Sequence, residues 1–229
     1  MRGLVMLAAS ALASMATGAA AAQTTASRIN AGTALARLIY PPELDEAVMT
    51  LTFNASVAPT YHMDLNLRPL EAAHPGLIDA MVAAMRVEYR RVRTAALPTL
   101  WARTGAVYAR RLDDAELREA IAFHASAGAR RIRALEIAAI VKAPPADAGA
   151  DAIQLYPADP TPVDGITQGM FNATLVGEKL AAIQAEVRAI NDDWSGKAAP
   201  PAGTVEAALA RVMVRFGAVY APTAPATSR

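Results

Sequence analysis

Apolar residues recur at three- and four-residue spacing through Leu77, Ile78, Met81, Val82, Met85, Tyr89 and Val92, while Arg86, Arg90, Arg91 and Arg93 fall mostly on the other side. That is the pattern of an amphipathic helix, opened here by His74-Pro75. Upstream, Leu35, Leu38 and Ile39 place a helix over Ser27 to Ile39, stopped at Tyr40-Pro41-Pro42 because paired prolines bar its continuation. Pro42 suits the first turn of the next helix, PELDEAVMTLTF, with Glu43, Asp45 and Glu46 at its positive end. From Asn54 to His74 the periodicity fades around Pro59 and Pro69, which predicts a loop with at most a short helical turn.

Pro98 is expected near the start of a separate helix carrying Leu100, Trp101 and Tyr108. Asp113 then offers an N-cap, with Glu116 three residues on as in a capping box. The helix it starts sets Leu117, Ala120, Ile121 and His124 on one face, and Ser126-Ala127-Gly128 supplies a turn before Ala129 to Lys142 resume the pattern. The stretch TQGMFNATLVGEKLAAIQAEVRAINDDW reads as one long helix, and Thr204 as the cap of a last one. β-branched alternation is almost absent. The expectation is therefore an all-α fold, a helical bundle of about six to eight helices built on antiparallel αα-hairpins.

Between the helical patterns, residues 143–165 hold five prolines and read as a linker. The expected organisation is a helical core over 23–142, that linker, C-terminal helices over 166–219 packing on the core, and a flexible tail over 220–229. Residues 1–22 have Arg2 at the start, an apolar stretch to Met15 and Ala20-Ala21-Ala22 before Gln23, the layout of a cleavable signal peptide. Cleavage leaves about 207 of 229 residues, expected in the periplasm and not spanning the membrane, since no later apolar run reaches about 18 residues.

Composition narrows the chemistry. No cysteine is present, which excludes disulfides, thiolate metal sites and a thioether-linked lipid. Net charge is +1, yet residues 86–133 carry eleven arginines against five acids, between flanks each three charges negative. Those arginines lie on polar helix faces and are expected to meet acids of the flanking helices, rather than form a patch for polyanions. Nucleic acid is not an expected partner.

Three histidines carry most of the candidate chemistry. His62 and Asp64 are two metal ligands without a third, and His74 stands at a helix start. His124 lies on an apolar face with Ala120, not an acid, one turn before it, so a structural histidine is the stronger reading and a base or ligand the weaker. The motifs H-E-x-x-H, G-x-S-x-G, G-x-G-x-x-G and the phosphate-binding loop are absent, so neither an enzyme nor a cofactor is expected. Asp192-Asp193 and Asp113-Asp114 read as acids at helix ends. Met81, Met85, Met170 and Met213 read as core, and Met81, Met85 and His124 are the candidate walls of an adaptable apolar pocket.

Tyr108, then Leu112-Asp113-Asp114-Ala115-Glu116-Leu117, then Phe123-His124-Ala125-Ser126 follow one another at a particular spacing. In this the chain resembles the domain of unknown function 2059 family of exported bacterial proteins. The family pattern is a Tyr, Phe-Thr-x-x-Glu-Leu, an apolar helix, then Phe-Tyr-x-Ser-Pro-x-Gly and a basic residue. Here Leu112 replaces Phe, Asp113 replaces Thr, His124 replaces the second aromatic, Ala127 stands for Pro, and Gly128 comes one place early, with Ala129 at the usual glycine. The resemblance covers Pro75 to Lys142. It implies an all-helical exported protein and no particular reaction, its signature being caps, turns and core contacts. The function expected from these readings is protein contacts in the cell envelope with an unknown partner, the alternative being a carrier or sensor of a small apolar or lipid-like molecule.

Overall fold

The computed structural model describes residues 25–142 and 162–218, with the side chains of all but 162–166. The signal peptide, most of the Pro-rich linker and the C-terminal tail lie outside the described residues. Every regular element among the described residues is helical. In chain order these are α1 (residues 25–39), α2 (Pro42–Thr52), a π-helical segment (Phe53–Val57), α3 (Ala58–Met63), α4 (Arg68–Ala73) and α5 (Leu77–Arg111). There follow α6 (Asp114–His124), α7 (Ala127–Lys142), α8 (Pro162–Asn172), α9 (Leu175–Ala182), α10 (Gln184–Lys197) and α11 (Ala202–Phe216).

Four stretches differ from the sequence reading, each for a local reason. The expected loop over 54–74 is mostly helical. Pro59 lacks an N–H and its ring crowds the carbonyl four residues back, so the preceding turn widens and Ala58 N–H donates to Phe53 O, five residues back. Pro98 lies inside α5 and starts nothing, because flanking Leu97 and Leu100 are buried and hold the helix through it. The long helix expected after residue 165 is three. It begins already at Pro162, breaks where Thr174 Oγ1 accepts from Gly177 N, and breaks again at Ile183. The last helix starts at Ala202 behind Pro201, with Thr204 inside its first turn and not its cap.

The chain divides into two compact units, each assembled from three separated segments. The first takes residues up to Pro41, Pro98–Ile132 and Pro160–Asp193. Its core joins Leu35 and Ala36 of α1, Val107, Tyr108 and Leu112, Leu117 and Ala120 of α6, Phe171 of α8, and Val176 and Leu180 of α9. Two glycines decide how α1 meets α5: a Cβ on Gly32 would stand 2.2 Å from the carbonyl oxygen of Gly105, and one on Gly105 2.6 Å from the backbone of Thr33. Arg28 donates to the carbonyls of Ala109 (2.9 Å) and Leu112 (2.7 Å), which puts a cation on the negative end of α5.

The second unit takes Pro42–Leu97, Arg133–Asp159 and Trp194 onward. Its core contains Met49, Phe53, Leu67, Ile78, Val82 and Met85, with a neighbouring group of Leu77, Met81, Val212 and Ala218. Thus α8, α9 and most of α10 pack in the first unit and α11 in the second.

The arginine block meets acids of the flanking segments, as its polar faces predict. Arg90 pairs with Glu46, Arg93 with Asp45, Arg103 with Asp193, and Arg110 and Arg111 with Glu186. Exposed pairs of this kind contribute about 0–1 kcal/mol each, so their effect is mainly to balance charge. Among the described pairs Arg93–Asp45 is the least exposed, at 11% and 6%.

Candidate ligand cavity

The second unit contains a cavity of about 530 Å³. One wall is α2, which contributes Val48, Met49 and Thr52, continued by Phe53 and Val57 of the π-helical segment and Tyr61 of α3. The opposite wall is α5 with Met85, Tyr89 and Arg93, and Ser195 and Val205 complete the lining. The wide turn forced by Pro59 therefore lies in the wall itself, where a π turn often marks a functional site. The ring of Phe53 meets that of Tyr89 edge to face, 5.5 Å between centroids.

Arg93 is the charged residue of the lining and its charge is already matched. Its Nε lies 3.1 Å from Asp45 Oδ2 and its Nη2 2.5 Å from Oδ1, while Nη1 donates to Ser195 Oγ at 3.3 Å. The guanidinium also lies over the indole of Trp194, 4.5 Å from the ring centroid, a cation–π contact. Trp194 in turn donates to the carbonyl of Ala96 (3.0 Å). Burial pushes the Tyr61 phenol above its ordinary value, helped by Tyr89 and the carboxylate of Asp64, so it stays protonated.

Of the residues proposed from the sequence for a pocket, Met85 lines this cavity. Met81, one turn earlier, packs with Leu77 and Val212 instead, and His124 belongs to the first unit. Of the expected trio this cavity takes Met85 alone: one helical turn carries Met81 past it, and α6 belongs to the other unit. Met170 is a second correction: it is 69% exposed, not core. His62 pairs with Asp79 at 3.1 Å rather than with Asp64, whose Oδ1 accepts from Asn66 N. No group of three His, Asp or Glu gathers for a metal among the described residues. His74 closes α4, donating its N–H to Leu70 O, and Glu71 caps the start of α5 by accepting from Gly76 N (2.6 Å) and Ile78 N (2.8 Å).

The signature residues of the first unit are structural in their geometry. Tyr108 and Leu117 are core. Asp113 Oδ1 accepts from Ala115 N and Glu116 N, and Glu116 returns the bond to Asp113 N, a complete capping box. Glu116 also takes the Lys179 ammonium, which together with the Asp113 N–H holds its carboxyl below the ordinary range. Phe123 stacks flat on Phe171 (3.8 Å between centroids, 2° between planes), and His124 sits edge-on to Phe171 at 5.7 Å. His124 is half-buried, short of the core position expected for it. Ser126 caps α7 by accepting from Ala129 N at 3.1 Å, so Gly128 is already helical and the turn is over sooner than the spacing predicts.

The cavity was missed because its polar residues come from unconnected stretches. Only the Met85 pattern and the faltering periodicity around Pro59 marked the place. No protein-family model matches the chain, and no curated protein or solved structure matches it.

Proposed function

We propose that the chain is an exported, non-enzymatic helical protein of the cell envelope that carries or senses a small apolar molecule in the cavity of its second unit. The observation that carries this reading is the cavity itself. About 530 Å³ walled by Val48, Met49, Phe53, Val57, Met85 and Val205 is within the roughly 300–1,000 Å³ of small-molecule sites. The resemblance of Pro75 to Lys142 to the domain of unknown function 2059 family supports the export and the absence of a reaction, and the layout of residues 1–22 supports a periplasmic location.

Native mass spectrometry of the protein purified gently from its own host tests this. Extra mass that disappears on denaturation, in the range of a lipid or small metabolite, is the expected result. A bare polypeptide that also binds no apolar probe would overturn it.

A second reading, contacts with an envelope protein, is favoured by a separate feature of the same unit. A groove of about 490 Å³ runs between Ala80, Ala83, Ala84 and Val87 of α5 and Ala208 and Val212 of α11, with Val87 57% exposed. Crosslinking in intact cells, followed by identification of the attached protein, tests that alternative.

A further inference from the structure

We infer that the cavity selects an uncharged apolar molecule bearing a single oxygen acceptor, a ketone, ester or quinone carbonyl, which accepts hydrogen bonds from the phenols of Tyr61 and Tyr89. The inference rests on the carrier reading and adds the chemical class of the ligand.

The lining is apolar except for Thr52, Tyr61, Tyr89, Arg93 and Ser195. Two of these have their donors engaged within the protein, Thr52 donating to Val48 O at 2.9 Å and Arg93 to Asp45, while Ser195 accepts from Arg93 at 3.3 Å. Neither phenol has a hydrogen-bond partner among the described residues, and the two lie close enough to raise the Tyr61 pKa together with its burial. Both tyrosines line the cavity, and each phenol O–H can donate one hydrogen, so the pair offers two donors to a bound molecule. A carbonyl oxygen has two lone pairs to accept them.

Charge excludes the commoner lipid headgroups. A carboxylate or phosphate entering here would lose its hydration, and the guanidinium in the wall is already neutralised by Asp45. The Asp64 carboxylate, near enough to Tyr61 to raise its pKa, would repel an anion further. An ammonium would find two phenols and no unpaired acid in the lining. What remains is a neutral molecule whose affinity comes from burial of its apolar body and whose orientation comes from one oxygen.

The test is displacement of a neutral fluorescent reporter, N-phenyl-1-naphthylamine, from the purified protein by two competitors of equal chain length, 2-dodecanone and dodecanoate. The expected result is that the ketone displaces the reporter at about one tenth the concentration of the carboxylate. Tyr61→Phe and Tyr89→Phe should each weaken the ketone about five-fold while leaving reporter affinity within two-fold. Equal or better displacement by dodecanoate, or a Tyr61→Phe/Tyr89→Phe double variant that binds the ketone unchanged, overturns the inference while leaving the carrier reading in place. Reporter binding that is absent, or that survives filling the cavity by Val205→Trp, overturns both. Thr52→Phe fills it from the other wall and serves should the tryptophan variant not fold.

Discussion

Arg93 grips Asp45 through two nitrogens, 48 residues away in the chain, with side chains only 11% and 6% exposed. Both charges are largely withdrawn from water, and each is balanced chiefly by the other. Removing one partner from such a pair costs about 3–5 kcal/mol, chiefly because the other is stranded. Asp45→Ala should therefore lower the urea midpoint sharply. Replacing both, as Asp45→Ala with Arg93→Met, should recover a large part of the loss, since no unpaired charge is then buried. A double variant no more stable than Asp45→Ala alone would remove the pair from this account.

The crossing of α1 and α5 gives a second expectation. A methyl at position 32 or 105 has backbone in its way, which cannot swing aside as a side chain can. Gly32→Ala and Gly105→Ala should each destabilise by about 1–3 kcal/mol or more. Gly196, exposed in α10 with nothing within 4 Å of its would-be Cβ, is the matched control. Gly196→Ala should stabilise by about 0.5–1 kcal/mol. Thermal melts of the three variants decide it.

Acid should weaken the fold through three carboxylates. Asp113 is held below its ordinary range by the Glu116 and Ala115 N–H groups, Glu116 by Lys179, and Glu71 by the Ile78 and Gly76 N–H groups. A depressed folded pKa means that the unfolded chain binds protons first. The contribution is thus fully present above the ordinary carboxylate pKa, about 4, and is lost as pH falls through the lower folded values. Melting temperature should be flat above about pH 5 and fall below it. Glu71→Gln should begin lower at neutral pH and show a shallower acid limb.

His124→Phe separates structure from chemistry in the first unit. Its ring lies edge-on to Phe123 and Phe171, so a phenyl ring keeps the aromatic contacts and loses the polar edge. The expected outcome is an altered melting temperature with ligand binding in the cavity unchanged. Loss of binding at unaltered stability would instead give the imidazole a functional part.

How much of this was legible beforehand depended on whether the information was local. The Asp113–Glu116 capping box, the stop at Tyr40-Pro41 and the apolar stripe of α5 lie within a few residues of sequence, and the helical signals stand there. The π turn and the passage of α5 through Pro98 were not legible. Both trade a lost backbone hydrogen bond against burial of residues such as Phe53 and Leu97 by distant segments. The breaks at Thr174 and Ile183 were hidden by an unbroken apolar periodicity. Gly177 shows why the first break forms: its would-be Cβ stands 2.2 Å from Phe171 O, so α9 turns back tightly on the end of α8. The cavity, drawn from segments 42–61, 85–93 and 195–205, was legible only at Met85.

The interleaving of the two units bears on how the chain can be made. A cut anywhere between residues 42 and 193 divides both of them, so no continuous fragment ending before Asp193 contains a whole unit. During synthesis from the N-terminus, the first core waits for Phe171, Val176 and Leu180, and the second for Val205 and Val212. Nascent chains therefore carry uncovered apolar helix faces as far as α9, and burial of the second core follows with α11. Such a protein is kept open by its own connectivity until the segments around and beyond Asp193 appear.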